Sequence, residues 1–204
     1  VIHVCKETGT PYFILGNGSN LLVSDKGYRG AVIQIWKNMS KVSVEDETKI
    51  RAQAGAQLSK IASCALEQSL EGFEFAAGIP GTLGGAVVMN AGAYGGELKD
   101  VLVEATVLDT EGNVRTLKNE ELELGYRHSI VKEKNYIVLE AVIELKKGSA
   151  DSIKAVMDDL KEKRVSKQPL DRPSAGSTFK RPEGHFAGKL IMDAGLRGFQ
   201  VGGA

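Results

Sequence analysis

Between Gly78 and Gly96 the chain carries seven glycines, interleaved with small residues, one proline and almost no charge. Gly78-Ile79-Pro80-Gly81-Thr82-Leu83-Gly84-Gly85-Ala86 runs on into Asn90-Ala91-Gly92-Ala93-Tyr94-Gly95. Glycine at that density is used where backbone takes φ > 0 or passes very close to something else. Inside strands and helices it weakens the element, so a core gains nothing from it. The segment therefore reads as a wall of bare backbone N–H groups facing a flat or phosphorylated ligand. Tight turns without a ligand account for two or three of these glycines, not for seven around one proline.

The remaining composition narrows the class of protein. The 204 residues suffice for one large domain or two small ones with a real core. A hydrophobic content of 42% and a charged content of 25% are ordinary for a globular protein. Net charge is zero, without a basic stripe, so nucleic acid is not expected as a partner. No apolar run approaches the ~20 residues of a membrane span, and no secretory signal is visible. Cys5 and Cys64 have neither CxxC nor metal-ligand spacing, and such isolated thiols fit a reducing cytosol. Cys64 falls within a helical pattern, as a small buried hydrophobe. His3, His128 and His185 show no metal spacing either, and no metal is expected. Both ends read as cut inside a longer polypeptide.

Strands are expected at Tyr12–Leu15, Leu21–Val23 and Ala31–Trp36, and a hairpin over Val42–Ala54. Gln57–Leu70 is helical, with Leu58, Ile61, Ala62, Ala65 and Leu66 on one face and Gly72 closing it. A second hairpin turns at Asp109-Thr110-Glu111-Gly112, followed by a strand over Tyr136–Leu145. An amphipathic helix over Ser152–Arg164 carries Ile153, Val156, Met157 and Leu160. Pro, Gly and Ser then dominate, placing a domain boundary near Gln168, and a short helix over Lys189–Ala194 stops at Gly195. Strands outnumber helices and are joined by short turns, so the fold class is α+β. No strand–GxGxxG–helix unit is present, so a nucleotide would be held by another backbone device.

Gly16-Asn17-Gly18-Ser19-Asn20 is a second phosphate-cradle candidate, with two glycines for a nest and three uncharged side-chain donors. The same residues also read as a plain hairpin turn. Together with the Gly78–Gly95 run, Tyr126-Arg127-His128-Ser129, Pro173-Ser174-Ala175-Gly176-Ser177-Thr178-Phe179-Lys180 and Ala187-Gly188-Lys189-Leu190-Ile191, they occur in an order that resembles the UDP-N-acetylenolpyruvoylglucosamine reductase family along nearly the whole chain.

The resemblance implies an FAD-binding domain of the vanillyl-alcohol-oxidase-like (PCMH) type over residues 1–167, lacking its N-terminal part. It implies the beginning of a smaller α+β substrate domain over 168–204. Further implications are a bacterial cytoplasmic oxidoreductase, NADPH as hydride donor, a nucleotide-sugar substrate, a role in peptidoglycan and cell-wall synthesis, and a monomer. Cofactor contacts are implied for Gly16, Asn17, Gly18, Ser19, Asn20, Gly78, Ile79, Pro80, Gly81, Gly84, Gly85, Asn90, Gly92, Ala93 and Tyr94. Tyr126, Arg127, Gly176 and Lys180 would contact substrate, and Ser177 would donate the proton. Reduction of an enol ether of pyruvate drives charge toward a carboxylate, and the forked guanidinium of Arg127 suits it. Read without the motif, Arg127 is a surface residue beside Tyr126, and Ser177 a turn serine. The family's catalytic glutamate has no counterpart before Ala204, so the span by itself is expected to be inactive. Position 181 is Arg where some members carry Asn, and the short Arg127–Ser177 interval fits the compact subclass. Two other readings stand beside this one: a different oxidoreductase sharing the flavin module, and a non-catalytic nucleotide-binding domain.

Overall fold

The computed structural model describes residues 1–168 and 178–202. The chain divides into two compact units, Val1–Lys167 and Gln168–Ala204. In the first, a short helix α1 (Ile2–Glu7) precedes β1 (Tyr12–Leu15), which pairs in parallel with β2 (Ala31–Gln34). The strand expected over Leu21–Val23 does not form, and Leu22 is 96% exposed. The apolar run suggested a strand, but β2 pairs directly with β1 and leaves Leu21–Val23 no partner for its backbone.

A five-stranded antiparallel sheet follows, built from β3 (Val42–Val44), β4 (Lys49–Gln53), β8 (Leu102–Leu108), β9 (Val114–Lys118) and β10 (Ile137–Glu144), in spatial order β3-β4-β10-β8-β9. The shorter elements between and after them are α2 (Leu58–Glu67), β5 (Leu70–Glu71), α3 (Leu83–Met89), β6 (Gly92–Ala93), β7 (Gly96–Glu97), α4 (Ile130–Glu133), β11 (Lys146–Lys147) and α5 (Ala150–Lys167).

The period of two divides the sheet's faces. Ile50 and Ala52 of β4 point to the core, while Lys49, Arg51 and Gln53 between them are half-buried on the other side. Ala141 lies opposite both Ala52 and Ala105, and this row of small side chains admits α3, whose Leu83, Ala86 and Val87 are buried. On the outer face Arg51 donates from Nη1 to Glu140 at 2.6 Å, lies 3.6 Å from Glu104 and pairs with Glu45.

The expected helix over Gln57–Leu70 is α2, with Leu58, Ile61, Ala62 and Ala65 buried at helical spacing. It ends at Glu67, before Gly72: Ser69 (φ 54) takes the left-handed position instead. Cys64 is half-buried on α2, and burial, reinforced by Glu67, pushes its thiol pKa up. The long helix α5 exceeds its expected span at both ends. Only Ile153 of its apolar stripe is fully buried, while Val156 is 43% exposed.

The hairpin at Asp109–Gly112 joins β8 to β9, with Gly112 at φ 96. Asp109 holds it: Oδ1 accepts from the Glu111 and Asn113 amides at 2.9 and 2.8 Å, and Oδ2 from Arg115 Nε at 2.6 Å. Burial pushes this carboxyl up, but the Asn113 amide, the Arg115 guanidinium and the Glu111 amide outweigh it and hold the pKa at about 2. In the second unit, α6 (Ala187–Asp193) carries the i,i+4 pair Lys189–Asp193, and Gly195 beyond it lies at φ 72. Among the described residues no helix is long and apolar enough to cross a membrane.

Candidate functional site

β1 ends at Leu15 and delivers Gly16–Asn20 to the edge of the first unit. Gln34 at the end of β2 steadies the start of this loop, donating from Nε2 to the Gly16 carbonyl at 3.2 Å, and Gly18 turns it at φ 73. Among the described residues the N–H groups of Gly16 to Asn20 donate to no protein acceptor, and the side chains of Asn17, Ser19 and Asn20 are likewise unengaged. An unused run of uncharged donors is the chemistry that a pyrophosphate requires.

The two glycine segments meet. A Cβ on Gly16 would lie 2.5 Å from Thr82 Oγ1, and one on Gly81 would lie 3.7 Å from Ser19 Oγ. Thr82, buried at the start of α3, is thus packed against the first loop. Nothing in the linear motifs singled out Thr82 or Gln34; only their position ahead of a helix and at a strand end carried any signal.

The seven glycines do not share one purpose. In the opening turn of α3 the N–H groups of Leu83 and Gly84 are committed to the carbonyls of Ala56 and Ala54, at 2.9 and 2.8 Å. Gly84 is needed because a Cβ would meet Ala54 Cβ at 3.0 Å. A Cβ on Gly92 would lie 2.7 Å from the Gly96 carbonyl, and one on Gly96 would lie 2.7 Å from the Phe75 ring. Tyr94 (φ 54) and Gly95 (φ 90) form the two-residue turn between β6 and β7. Gly78, Gly81 and Gly85 have no such contact below 3.4 Å, and the N–H groups of Thr82 and Gly85 have no protein acceptor among the described residues. The expected wall of bare N–H groups is therefore a narrower strip, because four of these seven glycines serve packing and turns.

Asn90 is also drawn inward. It ends α3 in the left-handed conformation (φ 41), is 2% exposed, and spends its side chain on Glu97, Gly125 and the Lys99 amide. The hydrogen bond from its Nδ2 to the Gly125 carbonyl carries α3 to the Tyr126-Arg127 turn, where Gly125 and His128 exchange both backbone hydrogen bonds at 3.1 Å. Arg127 sits in that turn at φ 56, half-buried, with its guanidinium carbon 5.4 Å from the Tyr126 ring centre. Among the described residues it forms no ion pair. Ser129, fully buried, donates to the Val88 carbonyl at 2.7 Å and caps α4.

The fold also groups Glu123, His128 and Glu133, all exposed, with one ligand atom of each within 4.8 Å of the others. That juxtaposition qualifies what histidine spacing alone suggested about metal ligands. A hollow lined by Trp36, Lys37, Ser40, Gly55, Gln57 and Lys60 touches none of the expected site residues. Gly176 and Ser177 lie outside the described residues, and Lys180 is exposed in the second unit.

Known proteins place this arrangement. Residues 1–118 match the FAD binding domain family, and 168–204 match the C-terminal domain of UDP-N-acetylenolpyruvoylglucosamine reductase. A UDP-N-acetylenolpyruvoylglucosamine reductase of Agathobacter rectalis is 57% identical over all of this chain and 68% of its own length. One from Clostridium perfringens is 57% identical over 66% of its length, and one from Caldanaerobacter subterraneus 56% identical over 67%. The chain thus spans about two thirds of the length of these relatives. The crystal structure of the corresponding reductase from Thermus caldophilus superposes with a TM-score of 0.83 at 36% identity, covering 99% of this chain and 73% of that one.

Fold and site together define the FAD-binding domain of an α+β flavoprotein oxidoreductase. The chain belongs to the UDP-N-acetylenolpyruvoylglucosamine reductase family, flavoenzymes of peptidoglycan precursor synthesis.

Proposed function

We propose that the protein reduces UDP-N-acetylglucosamine enolpyruvate to UDP-N-acetylmuramate in the bacterial cytoplasm, using FAD and NADPH. The observation that carries this reading is the packing of Gly16–Asn20, with its unused N–H groups, against Gly81 and Thr82 in the same unit as the Arg127 turn. Gly16 to Asn20 and the unused N–H groups of the second segment, at Gly78, Thr82 and Gly85, would hold the pyrophosphate through backbone donors. FAD, when bound, supplies the hydride that NADPH provides to the enolpyruvyl double bond.

The chain's own residues then have two tasks. Arg127 grips the enolpyruvyl carboxylate bidentately and stabilises the charge that develops beside it. Ser177 delivers a proton to the neighbouring carbon, with Lys180 as nearby positive charge and Tyr126 alongside Arg127 at the substrate. A free serine hydroxyl is a weak acid, so its neighbours must stabilise the alkoxide or relay a proton from water.

Ser177→Ala in the full-length protein tests this assignment. Reduction of the flavin by NADPH should survive while conversion of the enolpyruvyl ether is lost. Normal turnover of the enolpyruvyl ether in Ser177→Ala would remove Ser177 from the reaction. A full-length preparation that is colourless and yields no FAD on heat extraction would overturn the flavin reading itself.

A further inference from the structure

We infer that Asn90 is a positioning residue for Arg127, fixing the substrate-facing turn to the glycine segment; this rests on the role proposed for Arg127 above. Arg127 lies at φ 56, a conformation that a non-glycine residue holds only where its surroundings over-determine it. The turn is only two residues long, and its own backbone bonds, at 3.1 Å each way between Gly125 and His128, do not tie it to the rest of the molecule.

Two buried side-chain bonds do. Asn90 donates from Nδ2 to the Gly125 carbonyl at 3.2 Å, and Ser129, immediately after His128, donates to the Val88 carbonyl at 2.7 Å. Both anchors therefore reach the last turn of α3. Asn90 is itself immobilised: its second Nδ2 proton goes to Glu97 at 2.6 Å, its Oδ1 accepts from the Lys99 amide at 2.9 Å, and 2% of its surface is exposed. A primary amide with both protons and its oxygen engaged has little freedom left to rotate.

Asparagine meets two demands at once here. It tolerates the left-handed backbone (φ 41) that ends α3, and its side chain reaches a turn 35 residues further along the chain. Glycine would meet the first demand only. Because Thr82, which leads into α3, packs against Gly16, the same seven-residue helix references Arg127 to the segment proposed to hold the cofactor.

A double-mutant cycle in the full-length protein, with rates expressed per bound FAD, tests the inference. Asn90→Gly should lower kcat/KM for the enolpyruvyl substrate by about 10- to 100-fold, chiefly through KM, as expected for a misplaced binding group. In an Arg127→Ala background the same change should cost less than about twofold, because the group being positioned is gone. Amide exchange at His128 should accelerate in Asn90→Gly by at least about tenfold, which registers loosening of the turn directly. An equal loss in both backgrounds would make Asn90 a purely structural residue and overturn the inference, as would unchanged kcat/KM or unchanged exchange. Arg127→Ala with full activity would instead sink the role of Arg127, and the inference with it. Should Asn90→Gly not fold, Asn90→Asp goes through the same cycle under the same criteria. It keeps the left-handed tolerance and the acceptor for Lys99 but removes the donors to Gly125 and Glu97.

Discussion

Gly55→Ala perturbs the corner on which the site is built, and its effect follows from geometry. A Cβ on Gly55 would lie 2.2 Å from the Trp36 carbonyl oxygen, 2.7 Å from that of Met39 and 2.7 Å from Trp36 Cα. These are backbone atoms, so no rotamer change relieves the clash. Since C···O contacts settle near 3.3–3.6 Å, the Trp36–Met39 turn must retreat by about 1 Å. Overpacking of this kind costs about 1–3 kcal/mol. The retreat also breaks the 2.8 Å bond from the Gly55 amide to the Met39 carbonyl. Losing that bond adds about 1 kcal/mol. Gly55 is not at positive φ, so the substitution also gains about 0.4–1 kcal/mol from a stiffer unfolded chain.

The net loss is about 1–3.5 kcal/mol. For a domain of this size it corresponds to a fall in Tm of roughly 2–14 °C. Because Ala54 and Ala56 flank Gly55 and accept from Gly84 and Leu83, the start of α3 should tilt as well. FAD affinity should therefore fall alongside Tm. Calorimetry of the cofactor-free protein and a fluorescence titration with FAD read the two effects separately. A Tm within about 2 °C of the parent would refute the steric reasoning, since that corresponds to less than about 1 kcal/mol.

Gly85→Ala makes the opposite split: its Cβ meets nothing closer than Thr82 Oγ1 at 3.8 Å, so stability should hold or rise by up to about 1 kcal/mol. FAD affinity should nonetheless drop, and unchanged affinity in the titration would show that the cofactor does not approach Gly85. Asp109 titrates at about 2 when folded against an ordinary 3.8, so its stabilisation is complete above that ordinary value and is lost as pH falls toward 2. Asp109→Asn should accordingly flatten the decline of the urea midpoint between about pH 4 and 2. A decline as steep as the parent's would assign the acid sensitivity elsewhere. Arg127→Lys keeps the charge but loses the fork, and should raise KM for the enolpyruvyl substrate about 10-fold or more while FAD content stays at the parent level. An unchanged KM would argue against bidentate carboxylate binding.

Local patterns announced the elements whose partners lie close along the chain. The spacing of Leu58, Ile61, Ala62 and Ala65 marks α2, and Asp109–Gly112 marks the β8–β9 hairpin, because helix period and turn chemistry act within a few residues. Leu21–Val23 carried the same kind of apolar signal and formed no strand, since a strand exists only where another backbone accepts it. The end of α2 was misplaced for a related reason: Ser69 adopts the left-handed conformation that the sequence suggested for Gly72.

The density of glycine between Gly78 and Gly96, and its company of motifs, was sufficient from the sequence alone to point to the family and its flavin. Which glycine does what was not. Gly84, Gly92 and Gly96 answer to Ala54, the Gly96 carbonyl and Phe75, while Gly78, Gly81 and Gly85 stay open. A missing side chain looks the same in sequence whether it makes room for a ligand or for the protein's own backbone. Only the fold supplies the neighbouring atoms that distinguish the two. The same holds for Asn90, which stands in the cofactor motif yet spends its amide on the Arg127 turn, because that turn comes within hydrogen-bond reach only after the chain has folded.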